Sequence, residues 1–212
     1  MVKILHYVFD PLCGWCYGAS PGLNALAGVP DVRVRLLPSG LFAGSGARAM
    51  DDAFAAYAWS NDQRIARLSG QRFTERYRTQ VLGNHAQRFD SGLATLALTA
   101  VALAAPQREL EALGAIQLAR YVDGQDVTQV QTLQALLRSL DLAEAAERLR
   151  QPDAELEAAN RTRVESAQAL LRRFGAQGVP TLVLEHAGGQ TLLPSGALFT
   201  DPYALANQLG QA

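Results

Sequence analysis

Two cysteines stand three apart in Cys13-Gly14-Trp15-Cys16, and they are the only cysteines in the chain's 212 residues. That spacing lets two sulfurs meet across one helical turn, so the pair can take up or give out a disulfide. Placed at the start of a helix, open backbone N–H groups and the helix dipole favour an anion. Cys13 should then hold a thiolate more readily than a free cysteine and act as the nucleophile. Cys16, one turn in and more buried, would resolve the resulting mixed disulfide. Gly14 permits close backbone approach, and Trp15 offers an apolar substrate-binding platform beside the sulfur.

Other chemistries are open to two thiols. Zinc takes four ligands, and no second cysteine pair exists. His6, His85 and His186 have no ligand spacing to the cysteines, so no metal is expected. A structural disulfide would close too short a loop to gain much. A pair of inert buried thiols is the remaining reading.

A second feature stands far along the chain, where Gly178-Val179-Pro180-Thr181 precedes an apolar run. Proline cannot donate to a ladder, and an X–Pro bond is the one place where a cis peptide is readily found. The third polar feature is Asp10, before Pro11. Its preferred role is to cap the turn and the coming helix. The functional alternative is a proton relay for Cys16.

These residues need elements to hold them. Residues 2–9 form a short, continuously apolar run of the kind buried on both faces of a sheet. A helix is expected from Cys13 to about Leu26, ended by Gly28-Val29-Pro30. Residues 31–37 alternate with period two and read as a second strand. From 47 to about 160 the signals are helical, with no convincing strand. Met50, Phe54, Tyr57 and Ala58 share one face. Leu93, Leu96, Ala97, Ala100, Val101 and Leu103 share another, with Ser91 as N-cap. This region reads as scaffold, and the sequence does not locate His85 within it. A helix bearing Val164, Ala167, Leu171 and Phe174 then stops at Gly175. Residues 181–185 and 191–193 read as strands around a turn at 186–190. Asp201, with Pro202 in the first helical position, opens a last helix to about Leu209. The fold class is α/β, β-α-β then α-β-β-α, with a large helical insertion. The divisions are 1–44 for the first half, 45–160 for the insertion and 161–212 for the second half.

Composition narrows the partners. Charged residues make up 18% and hydrophobic ones 49%, with a formal net charge of −1. No basic field exists to hold nucleic acid or anionic lipid. No apolar stretch reaches membrane-spanning length. Residues 1–9 read as a strand rather than a secretory leader, so the expected location is cytoplasmic.

With both motifs placed, the chain resembles DsbA-like proteins of the thioredoxin superfamily. Residues 9–18, Phe-Asp-Pro-Leu-Cys-Gly-Trp-Cys-Tyr-Gly, look closest to the cytoplasmic branch described as predicted protein-disulfide isomerases. The resemblance implies a thioredoxin fold with a helical insertion, Cys13 as nucleophile, Cys16 as resolving thiol and Pro180 as a cis-proline. It further implies that the loop lies against the dithiol and offers the Val179 backbone to a substrate. The periplasmic oxidants carry Pro-His between their cysteines; Gly14-Trp15 supplies no such positive charge, so a milder potential is expected. The expected activity is thiol–disulfide exchange of reductase or isomerase type on protein or peptide substrates, with no bound cofactor and with glutathione as a candidate reductant and partner. The alternative is a glutathione-dependent enzyme on a small molecule, of the kappa-class transferase or 2-hydroxychromene-2-carboxylate isomerase type. Those relatives generally keep a serine where the nucleophile stands and need no second cysteine. A binding module or a metal-binding protein is disfavoured by the reactive dithiol and the missing ligands.

Overall fold

The apolar run at the N-terminus becomes β1 (Lys3–Phe9), buried from Leu5 onward. The computed structural model describes residues 2–201 and 203–211. β1 pairs in parallel with β2 (Val32–Pro38), placing Leu5 opposite Val34. Its other side pairs antiparallel with β5 (Thr181–His186), which pairs antiparallel with β6 (Gly189–Leu193). The order is therefore β2-β1-β5-β6. A central strand covered on both faces is mostly apolar, His6 being the one polar residue in the buried stretch of β1, whereas edge strand β2 begins with the alternation of a half-covered one.

Between β1 and β2 the chain forms α1 (Gly14–Gly18) and α2 (Ser20–Ala27). A single helix from Cys13 to Leu26 was the expectation, and the break at Ala19 has a local cause. Pro21 has no N–H to give the Tyr17 carbonyl, and the Ser20 hydroxyl donates to it instead at 2.8 Å.

The insertion opens with β3 (Arg48–Ala49), α3 (Asp52–Ser69) and α4 (Glu75–Tyr77), which continues into a π-helical turn at Arg78–Leu82. After β4 (Arg88–Phe89) come α5 (Gly92–Ala104), α6 (Glu109–Tyr121), α7 (Val130–Ser139) and α8 (Ala143–Arg150). The expectation of no strand in this region is corrected, because β3 and β4 pair antiparallel. At two residues each they are too short to show a period. Two faces also differ from expectation. Tyr57 is 66% exposed, and Leu93 and Leu103 sit on the solvent edge of α5 at 37% and 38%.

The long α9 (Ala154–Phe174) runs uninterrupted across the expected boundary at 160/161. Asp153 caps its start by accepting from Leu156 N–H, and Gly175 in the left-handed region ends it, with no breaker between. On the sheet face covered by α9, Val8, Leu37 and Ala167 form a small separate core. The β5–β6 turn is tighter than expected, with His186 opposite Gly189. The chain closes with α10 (Ala197–Thr200) and α11 (Ala204–Gln211). Asp201 accepts N–H bonds from Tyr203 and Ala204, while the role expected of Pro202 lies outside the described residues.

Candidate active site

The dithiol sits where β1 gives way to α1. A turn closed by Cys13 N–H on the Asp10 carbonyl, 3.1 Å, delivers Cys13 as the N-cap of α1. The Tyr121 hydroxyl donates to the Leu12 carbonyl at 2.7 Å, and the Tyr7 hydroxyl to the Cys16 carbonyl at 3.3 Å. The motif is thus held by one phenol from the sheet and one from the insertion. Both cysteines are free thiols. Cys13 retains 7% exposure and Cys16 1%. Cys13 is nearly covered for a nucleophile, because its thiol points onto the 178–181 loop. Burial, then the adjoining Cys13 thiol, pushes the Cys16 thiol well above the ordinary range, while the Asp10 backbone N–H acts the other way.

The Val179–Pro180 bond is cis. The Cys13 thiol donates to the Val179 carbonyl, with sulfur and oxygen 3.7 Å apart. The Thr181 hydroxyl donates to the Gly178 carbonyl at 2.7 Å and closes the loop on itself. Next to this loop lies an open cavity of about 710 Å³, lined by Trp15, Arg64, Val179, Pro180 and Phe199 among others. Neither cysteine lines it; the Cys13 thiol touches its wall at the Val179 carbonyl. Trp15 stands edge-on to Phe199, ring centroids 5.3 Å apart, and the Arg64 guanidinium lies 5.7 Å from the Trp15 ring. Arg64 thus places a cation beside the groove that the dipeptide between the cysteines could not supply.

Asp10 is fully buried. Its carboxylate accepts from Leu12 N–H at 2.9 Å, as a turn cap would, and also from Phe42 N–H at 3.1 Å. Ser91 completes the shell, its hydroxyl donating at 2.7 Å. Ser91 was expected to cap α5 with its side chain; that hydroxyl is spent on Asp10, and Asp90 takes the Gly92 N–H instead. Burial raises the Asp10 carboxyl, while Ser91, the two amides and the Arg120 charge oppose the rise.

Sequence reasoning passed over a buried cluster under the motif. Asp62, on α3, accepts from the Tyr77 hydroxyl at 2.9 Å. Arg120 is 1% exposed, its guanidinium between the rings of Tyr77, Phe89 and Tyr121. The signal was available: Asp62 lies eight residues after Phe54 and three before Ile65 on the buried stripe of α3, where a carboxylate is out of place. Phe199 gave none, since it belongs to a single-turn helix. Among the histidines, His6 bonds Glu185 at 2.8 Å and exposed His85 faces Asp52, far from the thiols in role. Among the described residues no group of His, Cys, Asp or Glu is gathered as metal ligands would be, and no helix is long and apolar enough to cross a membrane.

The model of the DSBA-like thioredoxin domain matches residues 4–206. The chain belongs to the DSBA-like thioredoxin family. Membership of this family and the DsbM neighbours support a redox function for a chain of this fold. Among solved structures it is similar to the cytosolic disulfide reductase DsbM from Pseudomonas aeruginosa, at 33% identity over 98% of this chain and 97% of that one, TM-score 0.88. A structure of DsbM with GSH matches at 31% identity over 98% of each chain, TM-score 0.86. A 2-hydroxychromene-2-carboxylate isomerase shares the fold at 18% identity, over 98% of this chain and 97% of that one, TM-score 0.57. No curated protein matches the DSBA-like sequence described here.

Proposed function

We propose that this chain exchanges disulfides with protein or peptide substrates, in the reductase or isomerase direction, through Cys13 and Cys16. The observation that carries the reading is the Cys13 thiol resting on the Val179 carbonyl beside cis-Pro180, at the edge of an open groove. An extended peptide lying along that loop brings its disulfide to Cys13, the more exposed of the two cysteines.

The Cys13 thiolate attacks one substrate sulfur, forming a new S–S bond as the substrate disulfide breaks, and the departing thiolate takes a proton. Cys16 then gives up its proton, for which the Asp10 carboxylate is the acceptor at hand, and attacks the Cys13 sulfur. The bond between Cys13 and the substrate breaks, and the second substrate sulfur leaves as a thiolate and is protonated. The substrate has gained two electrons and the enzyme holds a Cys13–Cys16 disulfide. Two molecules of glutathione, oxidised to one glutathione disulfide, would restore the dithiol. The likeness to DsbM with GSH supports that reductant, and Arg64 on the groove wall offers a partner for a glutathione carboxylate. The cytosolic DsbM likewise supports a cytoplasmic setting. A small-molecule isomerase reading has only a shared fold behind it, and a retained resolving thiol speaks against it.

A trapping experiment tests this. Cys16→Ala should leave Cys13 joined to its substrates as mixed disulfides, visible as shifted bands on a non-reducing gel. Capture of glutathione alone, with turnover on a small-molecule substrate undiminished, would overturn the protein-substrate reading.

A further inference from the structure

Gly14 packs against the insertion. A Cβ placed on Gly14 would collide with Oδ1 of Asp62 and stand 3.2 Å from Cδ1 of Ile65. The carboxylate therefore lies directly on the backbone between the two cysteines. It is 5% exposed, and its other oxygen takes the Tyr77 hydroxyl at 2.9 Å. A buried carboxylate here is costly, and α3 could fill the space with an apolar side chain.

The groups facing Asp62 are few. Gly14 brings the backbone between the two cysteines onto it; the charged and titratable side chains that act on it or feel its charge are Tyr77 of α4 and Arg120 and Tyr121 of α6. The described part of α10 brings no titratable group. Arg120 attracts both Asp62 and Asp10, yet its Nε and Nη2 have no hydrogen-bond acceptor and no carboxylate stands within ion-pair distance among the described residues. One buried cation thus serves two buried carboxylates, one on each side of the dithiol.

We propose that Asp62 is a positioning residue of the dithiol: packed on Gly14, it sets the charge against which the Cys13 thiolate forms. This rests on the reading of Cys13 and Cys16 as the exchanging pair. An ionised Asp62 opposes a neighbouring thiolate and so shifts the pair toward its disulfide, making the protein a better reductant. A protonated Asp62 removes that opposition. Burial pushes the Asp62 carboxyl up to about 7, against the pull of Tyr77 and Arg120, so the change of state falls near neutral pH. A side chain at position 14 would have to displace the Asp62 carboxylate.

The test is the equilibrium of the full chain with reduced and oxidised glutathione, read by alkylating free thiols and weighing the products at pH 5.5 and 8. Asp62→Asn keeps the acceptor for Tyr77 and removes the charge. It should move the equilibrium toward the dithiol by roughly three- to tenfold at pH 8 and leave it unchanged at pH 5.5. Tyr77→Phe keeps the carboxylate but withdraws its donor, and should move the wild-type inflection to higher pH. Asp62→Asn protein that matches wild type at both pH values would overturn the proposal. If that variant does not fold, an unmoved inflection in Tyr77→Phe overturns it instead. Wild-type protein that does not exchange with glutathione at all would overturn the dithiol reading itself, and this proposal with it.

Discussion

Ser91 donates its hydroxyl to Oδ2 of Asp10 at 2.7 Å, joining residues 81 apart in sequence. Both are fully buried, so the start of α5 is bolted to the end of β1 next to the dithiol. Ser91→Ala would leave the carboxylate with its two amide donors only. The expected cost is about 1–3 kcal/mol of stability, measured by chemical denaturation. Because Ser91 holds the Asp10 carboxyl down, its loss should also raise that group further. A variant as stable as wild type would show that the hydroxyl is not bonded there.

Asp10 itself separates the two halves of exchange. Asp10→Asn keeps an acceptor for Leu12 N–H but no longer takes a proton. Capture of substrate by Cys13 should proceed at a comparable rate. Release by Cys16 should slow by roughly 10²-fold, the scale of a lost proton acceptor. Stopped-flow measurement of each phase checks this, and equal slowing of both would assign Asp10 to the turn alone.

Two glycines answer one substitution with opposite signs. A Cβ on Gly22 would stand 2.9 Å from the Leu198 Cα, its carbonyl oxygen and Cδ2, so α2 meets α10 through backbone that cannot give way. Gly22→Ala should destabilise the protein and move Phe199 off Trp15, which a shift in tryptophan emission would report. Gly114, inside α6, has nothing within 4 Å of its Cβ position. Gly114→Ala should stabilise by about 1 kcal/mol through helix propensity alone. Melting both variants decides the pair.

The sheet and the dithiol could be read early because both rest on local signals. β1 is buried from Leu5 onward and mostly apolar since it is central, and two cysteines three apart need no tertiary context to be noticed. The Asp10 turn was legible for the same reason. What escaped depends on contacts across the chain. The hydroxyl of Ser91 was assigned to its own helix because the sequence shows the cap position and hides the unsatisfied carboxylate on β1. Arg120 and Phe199 reach the site from elements whose packing no periodicity encodes, whereas Asp62 is marked by its place on the buried stripe of α3. The break after Gly18 was readable in principle, since Pro21 stands in plain view four residues beyond Tyr17.

Asp62 also sets a pH dependence of folding with a definite sign. Its carboxyl is raised from 3.8 to about 7 in the folded protein, chiefly by burial. The folded state therefore holds a proton that the unfolded chain has lost between those values. Stability from this group is fully present below about pH 4 and is lost as pH rises through about 7. The upper bound is about 4 kcal/mol, from 1.36 kcal/mol per pH decade. Asp10 and Glu109, both raised first by burial, act in the same direction. Asp62→Asn should flatten the decline, gaining stability over wild type at pH 8 and matching it near pH 4. Arg120 works against that gain, because the substitution leaves it with one counter-charge fewer. Denaturant midpoints at the two pH values weigh the terms directly. A variant less stable than wild type at pH 8 would show that the attraction to Arg120 exceeds the cost of burying the charge, and the sign argued for Asp62 would be reversed.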